Sequence, residues 1–151
     1  MKTALLLAGL ALAGLTSHAF AAGNCTVKIN SDDAMKYDIK TATVSASCPT
    51  ITIELAHVGK LPVTAMGHNV VVSQTVLYDA IARDGLKAGA SANYVAKNDS
   101  RVIAATPLIG GGQSTKATFA GSRLKPGGDY AFYCTFPGHA TLMRGKLIVV
   151  K

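Results

Sequence analysis

The sequence contains no tryptophan, so its core has to be packed without the largest side chain. Acidic residues are also few: 8 Asp and Glu stand against 15 Lys and Arg, for a formal net charge of +7. The basic residues are scattered singly along the chain, which argues against the clustered basic face that nucleic-acid binding requires. Beyond the first apolar segment no stretch is long and apolar enough to cross a membrane, so no membrane span is expected. Gly110-Gly111-Gly112 is not followed by the Gly-Lys-Ser/Thr of a phosphate-binding loop and reads as a flexible hairpin turn. No internal repeat, low-complexity tract or linker divides the chain.

The N-terminus has the pattern of an export signal. Lys2 gives a positive start, Ala4 to Leu15 form an apolar run short for a bilayer, and Ala19-Phe20-Ala21 places small residues where a signal peptidase reads. Cleavage after Ala21 is expected, leaving residues 22–151. That length suffices for one domain with its own core and not for two. A lipid on Cys25 is not expected, because Ala22-Gly23-Asn24 lacks the leucine and small residue of a lipoprotein signal. Without Lys2 the net charge is +6, a surplus that favours acidic partners.

Three cysteines are an odd number for an exported chain. An oxidising compartment pairs exposed thiols, so one pair and one remainder is the natural arithmetic. Cys25 and Cys48 lie in the N-terminal third beside strand-like sequence, while Cys134 stands alone near the C-terminus. A free thiol kept in that compartment needs protection, and metal coordination is one form of it.

Short strands separated by turns run through the rest. Cys25 to Ile29, Thr41 to Ser47 and Thr50 to His57 alternate apolar and polar residues, with Ile51, Ile53 and Leu55 on one face. Val70 to Ser73 continues the pattern. From Thr75 to Leu86 the period lengthens, with Leu77 and Ile81 four apart and Gly85 near the end, which predicts one short helix. Asn93 to Asp99 reads as a loop. Strands resume at Arg101 to Ala104, Lys116 to Phe119, Asp129 to Cys134 and Lys146 to Val150. About eight strands with one short helical insertion predict an all-β fold, a Greek-key β-sandwich.

The chemistry concentrates in Cys134-Thr135-Phe136-Pro137-Gly138-His139-Ala140-Thr141-Leu142-Met143. A thiol closes an apolar strand, Pro137-Gly138 can turn the chain so that His139 points back at the sulfur, and Met143 arrives just before the next strand. Thiolate, imidazole and thioether together suit copper, which accepts both soft sulfur and borderline nitrogen. Zinc would prefer a fourth strong ligand. A His-His-Cys site needs a second imidazole from upstream. His18 leaves with the signal; His57 ends a strand before a turn; His68, in Met66-Gly67-His68-Asn69, follows a glycine that permits close backbone approach.

Cys134-Thr135-Phe136-Pro137-Gly138-His139, with Met143 four residues on and Met66-Gly67-His68-Asn69 upstream, resembles azurin, a blue-copper family of the cupredoxins. Its plastocyanin-like cousins place two residues rather than four between the Cys and the His. The resemblance covers essentially all of residues 22–151, including Asp99-Ser100-Arg101-Val102-Ile103-Ala104, Leu108-Ile109-Gly110 and the C-terminal strand. It implies one copper ion held by His68, Cys134 and His139, with Met143 as a distant axial ligand and the Gly67 carbonyl opposite. It implies that Asn69 ties the ligand loops together, that the Phe136 N–H donates to the Cys134 sulfur, and that Cys25 and Cys48 form the disulfide. It further implies an exposed apolar rim for docking at Met35, Leu61, Met66, Leu86, Phe136 and Leu142. At strand spacing a methionine such as Met35 also fits plain core. His57 matches a buried family histidine whose protonation shifts with pH, with an ordinary core role as the other reading. The chain departs from the pattern at Val70, where well-known members place a buried tryptophan, and at Ala105, which replaces a surface histidine of some members.

The function implied is that of a periplasmic electron carrier, cycling between Cu(I) and Cu(II) and serving redox proteins such as c-type cytochromes, reductases or dehydrogenases. An enzyme would need an open metal position or a further histidine-rich cluster, and after His68 and His139 only His57 remains in residues 22–151. A copper storage or delivery protein is the other alternative, but such proteins hold the metal by fewer or more exposed ligands.

Overall fold

The structure, a computed structural model, describes residues 24–151; the export signal expected at residues 1–21 lies outside them. Eight strands form two sheets. The smaller contains β1 (Thr26–Ser31), β3 (Ile51–His57) and β6 (Ser114–Phe119), in the order β1-β3-β6. The larger contains β2 (Thr41–Ser45), β4 (Val71–Gln74), β5 (Ala104–Ala105), β7 (Tyr130–Tyr133) and β8 (Arg144–Val150), in the order β2-β8-β7-β4-β5. The pairs β1·β3 and β2·β8 are parallel and the others antiparallel.

The alternation seen in the sequence is what packs the sheets together. In β3 every second residue, from Ile51 to His57, faces inward and is buried. Val27, Ile29, Val44, Val72, Phe132, Leu147 and Val149 meet them from the other strands to form the main core. Each such side chain removed from water contributes about 1.5–3 kcal/mol, which is how a chain without tryptophan still builds a core. Val70 is buried within this cluster, at the position where the resemblance raised a missing tryptophan.

The strand β7 is buried on both faces. Its outer side, with Val71, lies under α2 (Tyr78–Ala88), which follows a single 3-10 turn at Thr75–Leu77 and buries Ile81 against Ala131 and Tyr133. The helix therefore begins three residues later than its sequence pattern suggested. A further one-turn helix, α1 (Val63–Met66), carries no periodic signal in the sequence.

Where a strand was expected over Arg101 to Ala104, only Ala104–Ala105 pair in a ladder. Arg101 bonds the carboxylates of Asp99 and Asp84, at 2.6 and 2.7 Å, and the Val102 N–H closes a turn on the Asp99 carbonyl. The side-chain ion pairs thus fold the start of this segment away from the sheet. The triple glycine is a packed turn: the Gly111 N–H donates to the Leu61 carbonyl at 2.8 Å, beside the helix α1 loop.

Candidate metal centre

The strand β7 delivers Cys134 immediately past its last residue, fully buried. The ten residues from Cys134 to Met143 form a closed loop. The Cys134 N–H donates to the Met143 carbonyl at 2.9 Å and the Met143 N–H to the His139 carbonyl at 2.8 Å. Gly138 sits at φ +81°, a left-handed conformation that glycine adopts without strain, and the turn brings His139 Nδ1 to 3.8 Å from the Cys134 sulfur.

The second imidazole comes from the segment before β4. His68 exchanges two main-chain hydrogen bonds with Ile109, both 2.9 Å. Gly67 lies under Phe136, and a Cβ there would stand 2.6 Å from the Val63 carbonyl and 2.8 Å from the Phe136 ring. Only a glycine permits this approach, which leaves the Gly67 carbonyl 3.9 Å from the Cys134 sulfur.

His68, Cys134 and His139 are all buried, and one ligand atom from each lies within 4.8 Å of the others. The tautomer of His68 follows from its surroundings. Its Nε2 stands 2.9 Å from the Asp32 main-chain carbonyl, which can only accept, so the ring proton is on Nε2. Nδ1 then carries a buried lone pair, and it has no hydrogen-bond partner. A buried polar atom without a partner is costly, and here it lies within the His/Cys/His cluster. Two imidazoles and a thiol fit copper in the way the sequence suggested.

Burial pushes the Cys134 thiol up to about 11, against the opposing pull of main-chain N–H groups from Asn69 and Phe136 and of the Tyr37 hydroxyl. Burial also drives His139 down to about 4, with His68 adding to the effect, and lowers His68 itself. At neutral pH both rings are therefore unprotonated, the form that binds a metal.

Asn69 joins the two ligand segments. Its side-chain carbonyl accepts from the Thr135 N–H at 2.9 Å, and its amide donates to Thr135 Oγ1 and to the Asn93 carbonyl, both at 2.8 Å. The Phe136 N–H acts on the Cys134 thiol in the same downward sense as that of Asn69. Thr135, Asp32 and Tyr37 had not been singled out in the sequence. Thr135 sits inside the motif and could have been noticed there; a main-chain carbonyl such as that of Asp32 carries no sequence signal at all.

The remaining candidates fall around this cluster. Met143 is fully buried. Leu61, Leu86 and Leu142 are exposed, the last two at 55%, while Met66 and Phe136 are half-buried. Phe136 shares one shallow groove with Leu86 and another with Val63. Met35, like Phe136, is half-buried and packs on the main core. His57 is buried with its ring centroid 4.4 Å from that of His68. Neither of its ring nitrogens has a hydrogen-bond partner, and Nε2 lies 3.6 Å from Asp33 Oδ1. Ala105 is half-buried on β5. Cys25 and Cys48 are joined in a disulfide, and Cys134 is the free cysteine among the described residues.

Known copper proteins resemble this chain in sequence and fold. The family described as copper binding proteins, plastocyanin/azurin family, matches residues 23–150. The azurin of Alcaligenes faecalis is 50% identical over 123 residues, covering 82% of this chain and 96% of that protein. The azurin of Pseudomonas aeruginosa is 43% identical over 141 residues, covering 93% and 95%. Among solved structures, the azurin Az-iso2 of Methylomonas sp. strain J superposes with a TM-score of 0.81 at 39% identity, covering 84% of this chain and 98% of that one. With the two-sheet fold, the enclosed His/Cys/His cluster and these relatives together, the chain belongs to the plastocyanin/azurin family of copper-binding proteins and is an azurin-type member of it.

Proposed function

We propose that this protein carries single electrons between larger redox proteins of the periplasm, using one copper ion. His68 Nδ1, the Cys134 sulfur and His139 Nδ1 would be the strong donors that hold the ion, with the Met143 thioether and the Gly67 carbonyl as weaker ones. Copper bound there would alternate between Cu(I) and Cu(II), holding or giving up one electron. The observation that carries this reading is the unpartnered Nδ1 of His68 inside a buried cluster of two imidazoles and a thiol.

The protein's own part is to hold donors still and to keep water out. His68 is fixed by the Asp32 carbonyl on one side and Ile109 on the other, and His139 by the loop hydrogen bonds to Phe136 and Met143. Donors held on two tied loops change little on gain or loss of an electron. Full burial leaves no position for a substrate, which sets this reading apart from a copper enzyme. It also sets it apart from a delivery protein, whose ligands must let go.

Metal uptake should release about one proton per ion at neutral pH. The thiol, with its raised value near 11, is protonated there, and both imidazoles are not. As pH falls through the His139 value near 4, a second proton should compete and apparent affinity should drop more steeply. Calorimetry in buffers of different ionisation enthalpy checks the count; no proton released at pH 7 would contradict the thiol as a ligand.

Of the three strong donors only His139 retains any exposure, 3%, so we place the electron's exit there. Leu142, Leu86 and Phe136 flank it and would let a partner dock with little polar desolvation. Leu142→Asp should slow electron exchange between two copies of the protein without much change in its visible spectrum. Salt should slow transfer to an acidic partner by screening the positive charge, yet should not reproduce the variant's self-exchange defect. Unchanged rates in Leu142→Asp would show that electrons leave by another face.

A further inference from the structure

The segment between β1 and β2 reaches the site at three points. The Asp32 carbonyl receives the His68 Nε2–H, and the Asp33 carboxylate accepts from the N–H groups of Lys60 and Leu61, at 2.8 and 3.2 Å. The third point is Tyr37. Its main chain bridges back to Ser31, its ring lies 5.8 Å from that of Phe132, and only 3% of it is exposed. A tyrosine so deeply buried needs a partner for its hydroxyl. The hydroxyl donates to the main-chain carbonyl of Asn69 and lies beside the Cys134 sulfur.

Asn69 has four polar groups, and each has a task. Its side chain clasps Thr135 through both its oxygen and its nitrogen, and its main-chain N–H opposes the upward push of burial on the Cys134 thiol. Its carbonyl is the group that Tyr37 holds. N–H and C=O flank the same Cα, so pinning the carbonyl restricts the backbone angle that aims the N–H. Phenylalanine would fill the same space and supply no donor, leaving a buried carbonyl without a partner.

We infer that Tyr37 is a positioning residue of the metal site: its hydroxyl fixes Asn69, and through Asn69 it sets the hydrogen bonding around the Cys134 sulfur. This rests on the ligand assignment proposed above. Donors aimed at a thiolate draw electron density from it and disfavour the oxidised metal. Loss of the hydroxyl should therefore make sulfur the stronger donor, which lowers the reduction potential.

The test compares Tyr37→Phe with Tyr130→Phe. Tyr130 is also buried, but its hydroxyl accepts from the Lys125 N–H at the far end of β7. In metal-free protein, Tyr37→Phe should speed hydrogen exchange of the Thr135 amide by about tenfold, the effect of losing one buried partner. After loading with Cu(II), it should stay blue, with its visible band displaced and its potential lowered. Tyr130→Phe should lose stability without either change. A blue Tyr37→Phe protein with unaltered band, potential and Thr135 exchange would overturn the positioning role. Lost stability alone, matched by Tyr130→Phe, would reduce Tyr37 to a packing residue. Failure of the wild type to turn blue would instead refute the ligand assignment on which the inference rests.

Discussion

Replacing Cys134 by serine is expected to abolish the intense blue absorption of the Cu(II)-loaded protein while leaving a folded domain. The colour of a thiolate–copper site is sulfur-to-copper charge transfer, and a serine hydroxyl supplies neither the sulfur nor an accessible anion. Folding should survive, because the smaller hydroxyl has partners in place: the Gly67 carbonyl and the N–H groups of Asn69 and Phe136 all converge on this position. His68→Ala should also lose the blue band, since it removes the buried Nδ1 lone pair. His57→Ala should keep it, because His57 stands outside the cluster of three despite its ring contact with His68. That variant leaves a cavity beside His68 but also removes two buried nitrogens without partners, so it should lose less stability than an apolar truncation of the same size. Visible absorption with copper and far-ultraviolet circular dichroism decide the matter. An intense blue band in Cys134→Ser, or its loss in His57→Ala, would redraw the ligand set.

Removing the disulfide should produce the largest stability effect, with no effect on colour. Cys25 and Cys48 are 23 residues apart and 5.7 Å between Cα atoms, tying the start of β1 to the segment after β2. The chain-entropy model gives about 3 kcal/mol for a closed loop of this length. For a domain of this size that corresponds to roughly ten degrees in Tm. The bridge lies near the Thr26–Thr52 end of the β1·β3 ladder, whereas His57 marks the other end, nearest the metal cluster. A Cys25→Ala/Cys48→Ala variant should therefore unfold at much lower urea concentration and still turn blue with Cu(II). Mass spectrometry of the unreduced wild type should find this pair linked and Cys134 free. A crosslink to Cys134 in the metal-loaded protein would contradict both the pairing and the site.

The sandwich was legible because its strands carry a clean two-residue alternation. In β3 the residues read as one face, Ile51, Ile53 and Leu55, are the ones that pack in the core. The pattern failed where side chains at a distance intervened. The expected strand at Arg101 shrinks to two residues because Asp84, on α2 and 17 positions earlier, competes for the arginine. The helix α1 was missed because four residues are too few to show a period.

At the site the division follows distance along the chain. Cys134, His139 and Met143 lie within ten residues, so their chemistry and spacing could be read directly, and the turn at Gly138 follows from local backbone preference. The sequence determined by itself that a thiol, an imidazole and a thioether would share one loop at the end of a strand. Which upstream histidine joins them was set by tertiary structure. His57 and His68 are both buried and touch each other, but only His68 has its Nε2 held by the Asp32 carbonyl so that Nδ1 enters the cluster. The clasp of Asn69 on Thr135 spans 66 residues, and the Tyr37 hydroxyl reaches across 32 to the Asn69 carbonyl. The Thr135 N–H and the Asn69 carbonyl in these contacts are main-chain groups that every residue possesses, so composition and spacing cannot mark them. Only the packing of the two sheets decides which carbonyl or N–H stands beside which side chain.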